Sequence, residues 1–360
     1  MTSDEPIKVT LIATPEVDAS ALTGIHGVLS SFSHMVPGSI SFKPVIASPD
    51  NVWTDSVGTD RVRSDKERTA SESPEQIIRN VVGMPLPLQS RLSDIQHTDV
   101  LIIPSLYLLD NTWPENPYPD LTDWLLRMHR QGTLICSACT GAMLLAETGL
   151  LDGQEATQHW AFEQLFRNHF PKVRLNIDKV LTITGDNQQI IMSGASAAWH
   201  DLLIYLISRY ASPHAAQTIA KFFLLNAHTE GQKPYIIFND CSQHEDGAIQ
   251  RAQQWLGKNS RVPHPIEHMQ KLSGLSPRTF SRRFQQATGV TPIHYIQHLR
   301  VENAKLLLET CRMSVDEIGW EVGYEDPAFF RRLFKRLTGM TPKAYRRKFQ
   351  PADTNTEAEN

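Results

Sequence analysis

The sequence predicts two domains of different class, an α/β doubly wound domain followed by an all-α domain with two helix-turn-helix units. Apolar strand-like runs alternate with helical stretches over residues 6–210, as in a parallel sheet covered by helices. The C-terminal hundred residues instead repeat one helical pattern twice. Charge divides in the same way: residues 251–350 hold 18 Lys and Arg against 8 Asp and Glu, a net charge of +10, whereas residues 1–250 carry −11.

The N-terminal domain shows its strands as short apolar runs. A first strand is predicted at Ile7–Ile12, and fully buried strands at Asp99–Pro104 and Gly132–Cys136, as a parallel sheet requires. Amphipathic helices are predicted at Leu121–Arg130 and Asp201–Tyr210. Strands that alternate with helices in this way indicate a doubly wound, flavodoxin-like sheet.

Composition and local breaks suggest the domain limits. A helix is predicted from Pro213 to Ala227 before a break at Gly231. The expected segments are a surface excursion at 51–73, a first domain at 6–228, a linker at 229–246, a second domain at 247–350 beginning with a helix at 248–256, and a disordered tail at 351–360.

The sequence also limits the compartment. The chain starts without a basic region followed by an apolar one, so no signal peptide is expected, and no apolar run approaches the roughly 20 residues of a membrane span. Four cysteines in 360 residues do not form a disulfide framework. We therefore expect a cytoplasmic protein that makes no membrane contact.

The repeat in the C-terminal domain has two well-matched copies. Six residues recur fifty positions later: Pro277, Phe280, Phe284, Gly289, Pro292 and Tyr295 return as Pro327, Phe330, Phe334, Gly339, Pro342 and Tyr345. Gly274 and Gly323 suit the left-handed conformation that ends a first helix. Ser276 and Asp326 are good N-caps, each followed by proline at the first helical position. Each copy therefore predicts helix, tight turn, helix.

The second helix of each copy has a polar face opposite its phenylalanines. In the first copy this face carries Arg278, Ser281, Arg282 and Gln285, with Ser276 and Thr279 at the helix start. In the second copy it carries Ala328, Arg331, Arg332 and Lys335. A major groove admits such a helix, and arginine can bridge O6 and N7 of guanine. A solvated charged face is the alternative, but its repetition in matched turns favours DNA contact.

These motifs resemble the AraC-type DNA-binding domain over residues 244–349, most densely in 322–349. The resemblance implies two helix-turn-helix units joined by a long helix, here Pro292–Glu309. It also implies recognition helices about 34 Å apart that enter successive major grooves. Arg278, Ser281 and Arg282 match base-reading positions of the first recognition helix, and Ala328, Arg331 and Arg332 match those of the second.

One stretch of the N-terminal domain predicts a ligand site. A buried strand runs into a small-residue turn at Cys139, Thr140 and Gly141, and then into an apolar helix that ends near Gly149. Such a turn lies at the carboxyl edge of the sheet, where open α/β sheets bind ligands. A helix N-terminus there lowers a thiol pKa, so we expect an exposed, activated Cys139. His159 follows twenty residues later.

The run 139–153, continuing to His159 and Trp160, resembles the PfpI-type, glutamine-amidotransferase-like superfamily over residues 6–210. Residues 193–202 add to the match, and the two-domain order resembles the GlxA family of transcriptional regulators. The resemblance implies a Cys–His pair, here Cys139 and His159. It also implies a carboxylate after the first strand, but Ala21 stands at that position. Without the acid we expect a retained ligand pocket with Glu16 and Asp18 near its rim, and no catalysis.

Other roles for these residues remain open. Cys136 and Cys139 form a Cys-x-x-Cys pair, but no second pair completes a metal set, so neither a metal nor another cofactor is expected. His159 could instead cap a helix start. Cys241 and Cys311 stand alone and are interpreted as packing residues.

The sequence thus predicts a transcriptional regulator. Its expected partners are double-stranded promoter DNA, a small-molecule effector, a second copy of the chain in a homodimer, and RNA polymerase. One alternative is a Cys-dependent hydrolase, amidase or glyoxalase-like enzyme with an appended DNA-binding domain. Another makes the acidic domain a dimerisation module alone.

Overall fold

The computed structural model describes residues 5–53, 76–238 and 244–351. The chain forms two compact units, Met1–Gln232 and Lys233–Asn360. Most of the predicted excursion (54–73), Cys241 and the predicted tail from residue 352 lie outside the described residues. None of the described helices has the length and apolar character of a membrane span.

The first unit is built on a seven-stranded sheet. The strands of this unit are β1 (Ile7–Ile12), β2 (Phe42–Ser48), β3 (Gln76–Arg79), β4 (Pro85–Leu88), β5 (Ser90–Arg91), β6 (Val100–Ile103), β7 (Leu134–Ala138), β8 (Glu155–Ala156), β9 (Arg174–Leu175), β10 (Leu181–Thr184) and β11 (Ile190–Ser193). The sheet order is β10-β11-β7-β6-β1-β2-β5, and all neighbours are parallel except β10 and β11. From β1 the order runs through β2 to β5 on one side and through β6 and β7 to β11 on the other, with the antiparallel β10 at the edge, so the predicted doubly wound class is confirmed.

Helices cover both faces of this sheet. They are α1 (Ala19–Met35), α2 (Pro119–Arg130), α3 (Gly141–Glu147), α4 (Glu163–His169), α5 (Trp199–Tyr210) and α6 (Pro213–Phe223). Every residue of β6, β7 and β11 is buried, as expected for strands covered on both faces. The helix predicted to reach Ala227 ends earlier, because Leu224 adopts the left-handed conformation (φ 54°) and closes α6.

The first unit ends on a buried side chain, that of Gln232, which is 1% exposed. Its amide nitrogen donates hydrogen bonds to the carbonyls of Gln158 (2.9 Å) and Lys179 (3.0 Å). Its main-chain N–H donates to the carbonyl of Asp178 (3.0 Å). A Cβ at Gly194 would collide with the Gln232 amide, so the side chain fits only over a glycine. The point where the chain leaves the first unit is therefore anchored.

The residues after Gln232 pack with the second unit. The carbonyl of Ile236 accepts a hydrogen bond from Lys305 Nζ (2.6 Å), and the ring of Phe238 stacks on His298 with centroids 4.9 Å apart. The segment predicted as a linker, 229–246, thus contains residues that belong to each unit: 229–232 to the first and 233–238 to the second.

The second unit is entirely helical in its described part. Its helices are α7 (Gly247–Asn259), α8 (Pro265–Ser273), α9 (Pro277–Thr288), α10 (Pro292–Thr310), α11 (Val315–Glu321), α12 (Pro327–Thr338) and α13 (Pro342–Phe349). The first helix-turn-helix module is α8 with α9, and the second is α11 with α12. Helix α10 joins the modules, as the resemblance to the AraC-type domain implied, and Gly274 ends α8 at φ 68°.

Replacing Gln232 with methionine tests its anchoring role. The variant keeps the shape of the side chain but leaves the carbonyls of Gln158 and Lys179 without their donor, so we expect a loss of about 1–3 kcal/mol in the free energy of unfolding of the first unit. Urea unfolding, followed by hydrogen exchange in peptides that cover β10 and β11, measures this loss. Gln164→Met on the exposed face of α4 is the control, with an expected change within about 0.5 kcal/mol. Equal effects of both changes would contradict the anchoring role.

Candidate functional site

The turn between β7 and α3 has the strained geometry of an elbow. Cys139 adopts φ 54°, which is rare for a residue with a side chain, and its N–H donates to the carbonyl of Ser193 (2.8 Å). A Cβ at Gly141 would lie 2.6 Å from the carbonyl oxygen of Ile103 and 2.5 Å from that of Pro104. Glycine at 141 therefore lets α3 start directly against the end of β6, and this packing fixes the position of Cys139.

The Cys139 thiol is enclosed, contrary to the sequence-based expectation of an exposed, activated thiol. The residue is 2% exposed, and its Sγ lies 3.4 Å from Oγ of Ser196. Burial raises the pKa of the Cys139 thiol, and the nearby hydroxyls of Ser196, Thr140 and Ser105 offset this only in part. The expectation was wrong because it rested on the helix N-terminus alone. The segments that follow β6 and β11, which carry Ser105 and Ser196, cover the sulfur.

Thr140 and Gly141, both predicted to bind ligand, are placed by the structure in packing contacts. The Thr140 hydroxyl accepts a hydrogen bond from the N–H of Leu106 (2.7 Å) and donates one to the carbonyl of the same residue (2.6 Å). The residue is fully buried. The side chain of Thr140 thus ties the elbow to the segment after β6, and its hydrogen bonds are already made.

Glu16 and Asp18 hold the loop after β1 in place. Asp18 Oδ1 caps α1 by accepting from the N–H of Ser20 (2.9 Å), and it lies 3.3 Å from the hydroxyl of Tyr107. Glu16 Oε2 accepts from the hydroxyl of Tyr118 (2.7 Å), and burial together with this hydrogen bond raises the pKa of Tyr118. Both carboxylates therefore join this loop to the segment between β6 and α2.

No Cys–His pair forms among the described residues. His159 Nδ1 accepts a hydrogen bond from the N–H of Ala161 (3.1 Å), and its ring packs beside Trp160 with centroids 5.3 Å apart. Burial lowers the pKa of His159. His159 thus caps the short helical turn that follows it, and no hydrogen bond connects it to Cys139 in the described parts of the chain. Ala21, at the position of the expected acid, is fully buried in the first turn of α1.

Two serines complete the surroundings of the elbow, and sequence analysis did not name either of them. Ser196 contacts the sulfur, and the Ser105 hydroxyl is buried without a hydrogen-bond partner among the described residues. Ser196 lies within the run 193–202 that carried the resemblance, so a signal for it was present. No group of three His, Cys, Asp or Glu suited to a metal was found in the described residues. The elbow site, defined here as Cys139, Ser105 and Ser196, offers neutral hydrogen-bonding groups.

The second unit presents two polar helix faces. Phe280 and Phe284 of α9 are fully buried, as are Phe330 and Phe334 of α12. The opposite faces are exposed, and they carry Arg278, Ser281, Arg282 and Gln285 on α9 and Ala328, Arg331, Arg332 and Lys335 on α12. Both helices therefore have the division into buried and exposed faces that the sequence predicted.

The two faces differ in how their residues are held. Asp326 caps α12 through the N–H of Ala328 (2.7 Å), whereas the hydroxyl of Ser276 makes no cap bond and donates to Thr279 instead (2.9 Å). Arg331 forms an ion pair with Asp316 of α11. The second face is therefore more firmly organised around its arginines than the first.

One exposed aromatic residue on α12 was not among the predicted DNA contacts. Phe329 is 40% exposed beside Tyr324, and it occupies the position that Thr279 holds in the first copy. An apolar group near the start of a recognition helix can contact the methyl group of thymine. The fifty-residue register was the signal that could have identified it.

Comparison with known proteins matches each unit to a family. Residues 270–348 match a helix-turn-helix domain family, and residues 55–175 match the DJ-1/PfpI family. The HTH-type transcriptional regulator CdhR of Pseudomonas aeruginosa is 26% identical over 228 residues, which is 62% of this chain and 66% of CdhR. The HTH-type transcriptional regulator GlxA of Rhizobium meliloti is 26% identical over 240 residues, covering 63% of this chain and 72% of GlxA. The chain thus aligns with about two thirds of the length of these curated relatives.

Among solved structures, an AraC family transcriptional regulator from Pseudomonas putida is 15% identical, with a TM-score of 0.44. The similarity covers 61% of this chain and all of that one.

The reactivity of Cys139 distinguishes an enclosed thiol from an activated one. Because burial limits access and raises the pKa of the thiol, we expect iodoacetamide to modify Cys139 slowly at neutral pH and faster only above about pH 8.5. Mass spectrometry of the Cys139 peptide gives the rate, and the urea-unfolded chain provides the same thiol fully exposed. Modification of the folded chain at neutral pH as fast as that of the unfolded chain would contradict the enclosed state.

Proposed function

We propose that this chain, which joins a DJ-1/PfpI-type domain to an AraC-type helix-turn-helix domain, is a sequence-specific transcriptional regulator whose first unit senses a small molecule, dimerises, or does both. The observation that carries this proposal is the pair of matched recognition helices, each with a buried phenylalanine face and an exposed polar face. A lone basic helix face is common, whereas two copies in the same turn context are a property of DNA-reading domains.

Charge supports DNA as the partner of the second unit. Residues 251–350 carry a net charge of +10, and phosphate neutralisation by lysine and arginine supplies much of DNA affinity. The predicted contacts are Ser276, Arg278, Thr279, Ser281, Arg282 and Gln285 in the first module, and Ala328, Arg331, Arg332 and Lys335 in the second. Residues 1–250, at −11, are suited to another role.

The proposed ligand of the first unit is a small polar molecule at the elbow site. The Ser105 hydroxyl, near the Cys139 thiol, is buried and has no hydrogen-bond partner among the described residues, so a bound ligand would give it one. Of the residues predicted to bind ligand, Cys139 lies in this site, and the one hydrogen bond of the His159 ring among the described residues is at Nδ1. Thr140, Gly141, Glu16 and Asp18 would act through the packing and loop contacts that shape the site.

The alternative function is a Cys-dependent hydrolase, amidase or glyoxalase-like enzyme. The strained elbow at Cys139 favours it, since such turns present nucleophiles in enzymes. Against it stand the raised pKa of the thiol and the absence of a hydrogen bond from Cys139 to His159 or to any carboxylate among the described residues. Turnover of amides or ketoaldehydes that disappears in Cys139→Ser would establish the enzyme.

The remaining partners follow from the regulatory role. We propose that the chain acts in the cytoplasm as a homodimer on double-stranded promoter DNA, with RNA polymerase as a further contact. Neither a metal nor another cofactor enters the proposal, because the elbow site consists of one thiol and two hydroxyls.

Replacing Arg282 or Arg332 with alanine tests base reading. Each variant should lose about 1–3 kcal/mol of specific binding and relax specificity at its own DNA segment, because a bidentate contact to guanine is removed. Fluorescence anisotropy on operator and random DNA measures this loss. Arg251→Ala on α7, outside both recognition helices, controls for the lost charge. Equal losses on operator and random DNA would mean that these arginines contact phosphate only.

Separating the units tests the role of the first one. The fragment 233–350, which includes the packing of Ile236 and Phe238 on the second unit, should bind DNA more weakly than the full chain. The reason is that a dimer holds two DNA-binding units together, so sedimentation should give a dimer for the full chain and a monomer for the fragment. If the full chain is a monomer and binds DNA no more tightly than the fragment, the first unit does not mediate dimerisation.

A further inference from the structure

A buried arginine lies at the junction of the two helix-turn-helix modules. Arg300, in the middle of α10, is 8% exposed. Its Nε donates to the carbonyl of Ser260 (2.7 Å) and its Nη2 to that of Val262 (3.2 Å), both in the loop that leads into the first module. Its Nη1 donates to the carbonyl of Gly323 (2.8 Å), in the turn of the second module. One guanidinium therefore bonds to both modules.

The repeat itself shows what is particular about this position. Fifty residues later, the equivalent residue is Gln350, whose side-chain amide donates to the carbonyl of Cys311 (3.2 Å). Before the turn the two copies match at an offset of 49 residues, as Gly274 and Gly323 do, so Cys311 is equivalent to Val262, whose carbonyl accepts from Arg300. Both copies thus use this position to bond to the loop before their own module. Only the arginine has the additional N–H groups that reach the other module.

The junction around Arg300 is too tight to rearrange easily. Gly323 has φ 93°, and a Cβ there would lie 2.9 Å from the carbonyl oxygen of Arg261 and 3.0 Å from the Arg300 guanidinium. The Tyr324 ring lies under the guanidinium, with Cζ 5.1 Å from its centroid. Arg261 also forms an ion pair with Glu321, at the end of α11. Breaking the Arg300 contacts would leave three carbonyls without their donor.

We propose that Arg300 determines DNA spacing specificity by fixing the rotation and separation of the two recognition helices. A single helix such as α10 can bend, and it alone would let α9 and α12 accommodate several spacings. A side chain that bonds to the turn before α12 and to the loop before α8 removes that freedom. One base pair shifts the second DNA segment by about 3.4 Å and rotates it by about 35°, so a rigid unit tolerates one spacing only.

The test uses the full chain and DNA selected from a random pool by the wild-type protein. In a set of duplexes, one base pair is inserted or deleted between the segments that α9 and α12 read, and anisotropy gives the affinity for each. For the wild type, a change of spacing should cost about as much as a mismatched base pair, roughly tenfold. In Arg300→Gln, which reproduces the residue of the second copy, the penalty should fall below about threefold, with the base preference within each segment unchanged.

Matched variants separate positioning from folding and from charge. Arg251→Gln, on the exposed surface of α7, should retain the tenfold spacing penalty. Arg300→Lys keeps the charge but cannot bridge three carbonyls, so it should also lose the spacing penalty. It replaces Arg300→Gln in the test if circular dichroism shows that Arg300→Gln is unfolded. A folded Arg300 variant that binds every spacing more weakly by the same factor, with the wild-type penalty retained, would overturn the proposal. Loss of base preference within a segment would overturn it as well.

Discussion

The orientation of each recognition helix depends on three aromatic rings packed beneath it. In the first module Phe280, Phe284 and Tyr295 lie with successive centroids 5.5 and 5.3 Å apart. In the second, the equivalent rings of residues 330, 334 and 345 lie 5.9 and 5.4 Å apart. Tyr295 and Tyr345 belong to the helix that follows the recognition helix, so these rings join two helices. Every polar contact proposed for DNA rests on this apolar base, because the exposed face can point outward only while the phenylalanines remain buried.

Features set by local sequence were predictable. The strand Ile7–Ile12 has the predicted limits, and the long helix that the resemblance implied at Pro292–Glu309 extends only one residue further, to Thr310. Hydrophobic periodicity, helix caps and glycine turns are signals that a few neighbouring residues carry, and the repeat shows the helical ones twice. The end of α6 was not predicted, because leucine rarely adopts the left-handed conformation that Leu224 has here.

The elbow site was less predictable, because its chemistry depends on segments far apart in sequence. Cys139 was expected to be exposed from its place at a helix start, but Ser196, 57 residues later, lies against its sulfur. The carboxylates of Glu16 and Asp18 pair with tyrosines of the segment between β6 and α2. Hydrogen bonds of this kind leave no periodic trace in a sequence. They decide whether a thiol is protonated and whether a carboxylate faces a ligand or the fold.

The anchoring of Gln232 bears on how such proteins can exchange parts. A chimera divided at residue 228, where the sequence-based limit falls, would separate this glutamine from Gly194 and from the carbonyls of Gln158 and Lys179. A division between 232 and 233 leaves both hydrogen-bond sets intact, with Ile236 still bonded to Lys305. For recombination between genes, the permissible crossover point therefore lies within the few residues between Gln232 and Ile236, at the end of a hydrogen-bonded segment.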